Sequence, residues 1–444
     1  MSSPTEIVAS SGGSGVFGKI RTTLAVLGGV YVAAVGLLAV PYFQSQTIYL
    51  NSIRLPLFAN FDAPEKYGLA LNKTYNFKIH TSDNETLGSW FILAESVYQS
   101  LPTPRTSPQP HIAHAIRSRP TILFFHGNAA TRAFHARIQH YSSLTARLDA
   151  NLLAIDYRGF AESTGSPSEE GLVRDARAAW EWLLSQGARG EDIIIMGHSL
   201  GTGVSARLAA QLSDEGLNYR AVVLMSPFSS IEQVLKTYNV LGAVPLIKPL
   251  AMIPYAMNFI TWALIHKFDT LSIVPRIKGQ VLIAHAENDW DIPYTHSEVL
   301  FNAFLEPLLP DVSLPSNPAT LNKDEWSAFS NQITSRNAKR DDIVTKTTFP
   351  YFGTVQEFSE GGREVIFVKM QEGAHDYVGV QEGLQDIIGR KYGFFGTGYL
   401  SAQSSVVSTP ALATPKDLEA DSVDFMKPQK ELFDEFKLPG KEAL

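Results

Sequence analysis

Gly197-His198-Ser199-Leu200-Gly201 stands between the apolar run Ile193-Ile194-Ile195-Met196 and a helical stretch over Thr202–Ser213. Strand, sharp turn and helix in that order make the setting of a nucleophile elbow, which lifts a serine hydroxyl above the carboxyl end of a sheet. The two outer glycines let the chain turn sharply there. The bare five-residue pattern also recurs by chance, in turns that only pack a helix on a sheet. Between a buried strand and a helix it marks Ser199 as a candidate nucleophile.

Working outward, short apolar runs bounded by turns predict strands at Thr121–His126, Leu152–Asp156, Ile193–Met196, Ala221–Met225, Gln280–Ala284 and Glu364–Val368. Helical patterns fall between them at Ala133–Leu148, Glu170–Ser185, Thr202–Ser213 and His296–Phe304. Runs this uniformly apolar suit strands buried on both faces. The alternation predicts an α/β fold, a mostly parallel sheet covered by helices on both sides. Ahead of it, Tyr75–His80 and Leu87–Leu93 read as an antiparallel pair joined at Ser82-Asp83-Asn84.

The chain has 444 residues, enough for one large α/β domain with additions. Its formal charge is −7 and no Lys/Arg cluster appears, so nucleic acid is not an expected partner. It has no cysteine. Thiol catalysis, thiolate zinc sites, disulfides and palmitoyl or prenyl anchors are therefore excluded.

No charged residue or histidine occurs between Arg21 and Arg54, and Leu24–Val40 is almost wholly apolar. With its flanks the segment reaches about 20 residues, enough for a membrane-spanning helix. Lys19 and Arg21 precede it and Tyr42 and Phe43 follow it. The positive-inside rule puts the short N-terminal tail in the cytosol and the remainder across the bilayer. A cleaved signal peptide is the competing reading, but the apolar region is long for one and no clean small-x-small site follows. Asn72-Lys73-Thr74 and Asn84-Glu85-Thr86 are glycosylation sequons that agree with a lumenal or extracellular domain.

The chain then divides into a disordered tail (1–21), an anchor (22–42), a linker (43–70), the α/β domain (71–395) and a Ser/Thr/Pro-rich then charged tail (396–444). Within the domain, 229–274 reads as an apolar cap: between Thr237 and Ile265 only Lys248 is charged. Residues 305–362 read as a long polar insertion. In the last tail, Leu432, Phe433 and Phe436 fall at helical spacing and read as a transient, solvated helix, with a partner-binding helix as the alternative.

A serine hydroxyl needs a base to become a nucleophile, and the base needs an orienting acid. On a sheet with such an elbow they follow in the order serine, acid, histidine. Of eleven histidines, His296 and His375 lie far enough along. His296 opens a helix seven residues after the acid candidate, whereas His375 lies in a loop just past the last strand, within reach of Ser199. His375 is the expected base. The acid is sought after Gln280–Ala284, in His285-Ala286-Glu287-Asn288-Asp289-Trp290-Asp291. Asp289 is the choice, with Asp291 and Glu287 behind it. Oxyanion donors are expected from the backbone amides of Leu200 and of Asn128, in the turn His126-Gly127-Asn128-Ala129. His126 reads as a structural hydrogen-bonder. Asp156, in Asp156-Tyr157-Arg158-Gly159-Phe160, reads as part of a loop-fixing Asp–Arg arrangement. No cofactor or metal is called for.

Phe125-His126-Gly127-Asn128-Ala129, Asp156-Tyr157-Arg158-Gly159-Phe160, Pro167-Ser168-Glu169, Gly197–Gly203, Ser226-Pro227-Phe228 and His285-Ala286-Glu287 occur in that order. Together they resemble the α/β-hydrolase domain-containing protein 12 group of membrane-anchored monoacylglycerol and lysophosphatidylserine lipases. The likeness covers the anchor and roughly residues 70–395. It implies an α/β-hydrolase fold, a single span, a lumenal catalytic domain in the endoplasmic reticulum, and a triad falling on Ser199, Asp289 and His375. The chain departs from the group at Asn288-Asp289, where two adjacent acids are usual, and around His375, where the match is loose. Depalmitoylating hydrolases share the Gly-Asn turn but are held by acylated cysteines, which this chain lacks.

The expected reaction is hydrolysis of a carboxylic ester of a single-chain lipid, with the bilayer as the other partner and protein partners unassigned. Two alternatives stand beside it: an acyl or protein thioesterase, and a non-catalytic membrane-anchored binding module.

Overall fold

The computed structural model describes residues 14–104, 106–237, 239–240, 244–245, 256–313, 322–360 and 362–394. The start of the N-terminal tail, the middle of the expected cap and the tail over 396–444 lie outside the described residues.

A ten-stranded sheet organises the domain. Its strands are β1 (Thr74–His80), β2 (Thr86–Ile92), β3 (Thr121–Phe125), β4 (Asn151–Ile155), β5 (Ile193–His198), β6 (Ala221–Met225), β7 (Val281–Ala286), β8 (Thr345–Phe349), β9 (Gly353–Glu360) and β10 (Arg363–Met370). They lie in the order β1-β2-β4-β3-β5-β6-β7-β10-β9-β8. From β4 to β10 all neighbours are parallel, and the outer pairs are antiparallel. The central strands alternate between two buried clusters: Leu123, Leu153 and Ile195 on one face, Ile122, Phe124, Leu152, Ile194 and Met196 on the other. With both faces covered, the middle positions are apolar on both sides, which explains why these strands read as apolar runs.

Helices α1 (Ser14–Leu37), α2 (Pro41–Tyr49), α3 (His135–Arg147), α4 (Glu169–Ser185), α5 (Leu200–Asp214), α6 (Ala256–Ala263), α7 (Thr295–Leu305), α8 (Lys323–Ile343) and α9 (Glu382–Lys391) accompany the sheet. One helix among the described residues, over Phe17–Leu37, is long and apolar enough to cross a membrane. It stops short of the expected Tyr42. Pro41 sits in the first turn of the separate helix α2, where its missing N–H is no loss.

The segment expected as a linker is ordered against the domain. Tyr49 is fully buried, and the amides of Ala129, Ala130 and Thr131 donate to the carbonyls of Tyr49, Ile53 and Leu55. The expected insertion supplies α8 and two strands of the main sheet, β8 and β9. The cap excursion has a closed neck, where Ile231 N–H donates to Lys267 and Leu271 N–H donates to Ser229.

Candidate active site

β5 and β3 are parallel neighbours with Gly197 opposite Phe125, so the turns that follow them meet above the sheet. Ser199 itself carries the strained backbone, at φ 52° and ψ −121°. The flanking glycines serve close approach. A Cβ on Gly201 would lie 2.0 Å from the Phe125 carbonyl oxygen, and one on Gly197 would lie 2.3 Å from that of Gly201. Ser199 N–H donates to Met225 O at 3.0 Å, which ties the elbow to β6.

His375 Nε2 lies 2.9 Å from Ser199 Oγ, and His375 Nδ1 lies 2.8 Å from Asp289 Oδ2. The three side chains come from loops after β5, β7 and β10, all at carboxyl ends of parallel strands, where ligands of open α/β sheets bind. Asp289 is buried, and its Oδ1 accepts the amides of Asp291 and Ile292 at 3.0 and 2.9 Å. Its Oδ2 also faces His285 Nε2 at 3.1 Å. Burial alone would raise its pKa, but the bonds from His285 and His375 outweigh that and hold the carboxyl far below the usual range. Burial likewise pulls His375 down, yet the Asp289 hydrogen bond and charge, with Asp291 and Asp376, bring it above the ordinary imidazole value.

None of the alternative candidates takes a place in the Ser199–His375–Asp289 chain. His296 turns toward the cap neck, with Nδ1 on Ser229 Oγ and Nε2 on Thr237 Oγ1, both at 3.0 Å; burial pushes it down to about 4. Asp291 and Glu287 are exposed, Glu287 pairing with Lys369 at 3.3 Å. Asp289, Asp291 and His375 have ligand atoms within 4.8 Å of one another. Two of these atoms already bond each other, an arrangement that serves a histidine–carboxylate pair better than a cation.

The expected oxyanion donors flank the serine. Leu200 is the first residue of α5, so its N–H is one of those a helix start leaves without an intrahelical acceptor. Gly127 packs against Ser199: a Cβ on it would lie 3.2 Å from the serine Cβ. Buried Arg137, on α3, directs one Nη2 to three successive carbonyls, Gly127 and Asn128 at 3.0 Å and Ala129 at 2.7 Å. In a planar trans peptide the N–H points opposite the C=O. Turning the Gly127 carbonyl to Arg137 therefore turns the Asn128 amide away from it.

Several supporting residues escaped the sequence reading. His198 Nε2 donates to the His375 carbonyl at 2.7 Å, and burial, with His375 and His140 nearby, keeps His198 neutral. Asn288 Oδ1 accepts the Ala374 amide at 2.8 Å and its Nδ2 donates to Glu372, so the residue that replaces an acid of the resembled group braces the histidine loop. The loop-fixing Asp–Arg arrangement expected at Asp156 is present, with Arg132 as the partner: buried Asp156 pairs with Arg132 and lies 3.4 Å from His126, while Arg158 pairs with Asp175 and Asp83. His126 is a structural bonder as expected, its Nδ1 2.7 Å from Gly127 O.

A family model described as "Alpha/beta hydrolase family" matches residues 122–354. The lysophosphatidylserine lipase ABHD12 of Danio rerio is 30% identical over 296 residues, 65% of this chain and 73% of that protein. That of Gallus gallus is 30% identical over 297 residues, 65% and 74% of the two chains. The chain belongs to the α/β-hydrolase family, in its ABHD12 group. The resemblance drawn from its motifs is thus borne out. A solved α/β-hydrolase from Vibrio vulnificus aligns over 78% of this chain and 92% of its own, at 15% identity and a TM-score of 0.47.

Proposed function

We propose that the protein is a membrane-anchored serine hydrolase that cleaves the carboxylic ester of single-chain lipids, monoacylglycerol or a lysophospholipid such as lysophosphatidylserine. The observation that carries the reading is the unbroken hydrogen-bond chain Ser199–His375–Asp289 beneath the elbow. Ser199 Oγ attacks the acyl carbonyl while His375 Nε2 takes its proton, and Asp289 stabilises the imidazolium. The amides of Asn128 and Leu200 hold the oxyanion. Collapse breaks the ester bond, and His375 returns the proton to the leaving alcohol. Water, deprotonated by His375, then releases the fatty acid and restores Ser199.

The lipid substrate is supported by the name of the ABHD12 relatives and by the surroundings. Helix α1 is read as a transmembrane anchor with the domain on the lumenal side of the endoplasmic reticulum. The nine residues of α2 span about 13 Å. That short helix runs from the anchor's exit to the turn that carries Asn128, because the carbonyl of Tyr49 accepts the Ala129 amide at 2.8 Å. The site then opens close to the bilayer, and the apolar 229–274 segment is read as a cap over it that admits an acyl chain.

The test uses full-length protein in membrane fractions, wild type beside Ser199→Ala. Wild type should react with a fluorophosphonate probe and release fatty acid from lysophosphatidylserine, and the variant should do neither. A folded wild type that does not label would overturn the assignment.

A further inference from the structure

The chain leaves α1 at Leu37, bends through Leu38–Val40 and enters α2. Its apolar side chains do not withdraw from solvent at this point. Tyr42 is 66% exposed and Phe43 41%. Helix α6, whose C-terminal end is bonded to Gln44 of α2, exposes Phe259 and Trp262 at i,i+3 spacing, rings 5.9 Å apart, and Ile265 follows just beyond the helix. Trp262 is 77% exposed, an unusual state for the largest apolar side chain of a water-facing helix.

One buried side chain holds these pieces together. Gln44 Nε2 donates to the carbonyls of Leu38 and Ala263, both at 2.8 Å, and its Oε1 accepts the Ile265 amide at 2.8 Å. Ser45 Oγ adds a contact to His266 Nε2 at 3.0 Å. The end of α1, the start of α2 and the end of α6 are thereby fixed to one another around a single glutamine. The aromatic side chains that flank it on both elements face outward.

We propose that Tyr42, Phe43, Phe259, Trp262 and Ile265 form a second membrane contact, seated in the polar–apolar interface of the leaflet in which α1 ends. The proposal rests on the reading of α1 as a transmembrane anchor. Three residues separate α1 from α2, a reach of about 10 Å when extended, so α2 starts at the depth of the headgroup layer. Tyrosine and tryptophan favour that depth, where an apolar ring and a polar edge are both accommodated. Continuity with the anchor selects a bilayer as occupant over a soluble partner. With the patch seated, α2 and the oxyanion turn bonded to its end are held against the lipid surface, and a lysolipid chain can reach Ser199 without leaving its leaflet.

The absence of cysteine allows a direct test on the full chain. Trp262→Cys and, as a second site, Ile265→Cys are each labelled with an environment-sensitive fluorophore. The proteins are reconstituted in phosphatidylcholine vesicles with or without lipids bearing a nitroxide near the headgroup, for 262 and 265, or deep in the acyl chain, for 30. Val30→Cys in α1 reports on the anchor, and Arg189→Cys, on an exposed turn, reports on water. Fluorophosphonate labelling confirms that each variant is folded. The expected result is loss of emission with the nitroxide lipid at 262 and 265, as at 30, and quenching by aqueous iodide at 189 alone. Iodide quenching at 262 and 265 with lipid quenching at 30 overturns the proposal and leaves the anchor. Shielding of 262 and 265 from both quenchers also overturns it, because protein, such as a second copy of the chain, then covers the patch. Loss of lipid quenching at 30 removes the anchor reading and the proposal with it.

Discussion

Two side chains, Asp289 and Arg137, set how the candidate site should respond to change. Asp289 stabilises the imidazolium of His375, so the base becomes neutral only above the ordinary histidine value of about 6.5. A base must be neutral to act, so kcat/KM should rise with pH and reach half its plateau above about 6.5. Asp289→Asn removes the raising influence and leaves burial, which lowers the value. The midpoint should then move to lower pH while kcat falls by roughly 10⁴, as loss of an orienting carboxylate does elsewhere. A pH–rate profile of both proteins checks the sign, and an unmoved midpoint would mean that another group titrates. Arg137 acts at one remove, by turning three carbonyls of the oxyanion loop toward itself. Arg137→Met should lower kcat by about 100-fold, the scale of one lost oxyanion donor, with KM changed little. Stopped assays on a short-chain ester separate the two constants. The meeting of Ser199, Asp289 and His375 was legible because the triad proposed for them requires a serine, an acid and a histidine in a fixed order at strand ends. Arg137 and His198 were not, because each acts through a backbone carbonyl, which an arginine or histidine in a helix or turn does not advertise.

Among the elements, the central strands were readable and those at the β8 edge were not, for one physical reason. Strands buried on both faces must be mostly apolar, and β3 to β7 are, with polar residues only at or beside their ends (Thr121, Asn151, His198, His285). At the far edge β8, Thr345–Phe349, is exposed along its whole length and carries no burial pattern to find. Helix α8 buries Phe329 alone, so no apolar stripe announces it. Its one sequence signal is the capping box, in which Asn322 Oδ1 accepts the Glu325 amide and Glu325 Oε2 accepts that of Asn322. The elbow makes the opposite case, an element whose sequence is dictated atom by atom. A methyl group on Gly201 meets the backbone oxygen of Phe125 rather than a side chain that can swing away. Gly201→Ala should therefore spread β3 from β5, destabilise the domain by about 3 kcal/mol, and abolish fluorophosphonate labelling. Chemical denaturation beside a labelling gel tests both, and a stable, reactive variant would contradict the packing. Gln44→Ala strips partners from two carbonyls and one amide at the junction of α1, α2 and α6. It should cost about 2 kcal/mol while leaving Ser199 reactive, as measured by thermal unfolding in detergent.

At the scale of the molecule, the proposed anchor puts the domain on one side of a membrane, and the surface offers a reporter of that side. Asn84 stands exposed at the turn between β1 and β2, at φ 65°, with Thr86 completing its sequon. Lys19 and Arg21 just ahead of the apolar stretch favour a cytosolic N-terminus, which carries Asn84 into the lumen of the secretory pathway. Protein from a eukaryotic membrane fraction should then lose apparent mass on treatment with an endoglycosidase, and Asn84→Gln should abolish or reduce that shift. Asn72 is half-buried, so Asn84 is the better-presented of the two acceptors. Topology also bears on chemistry. A lumenal domain meets lysolipids of the inner leaflet face but no cytosolic acyl-proteins, so a glycan at Asn84 speaks for the lipid ester and against a depalmitoylating thioesterase. If the mass is unchanged, a protease-protection assay on sealed microsomes decides the matter. Digestion of the domain from outside would reverse the topology and shift the substrate toward cytosolic thioesters, with Ser199, His375 and Asp289 keeping the same roles.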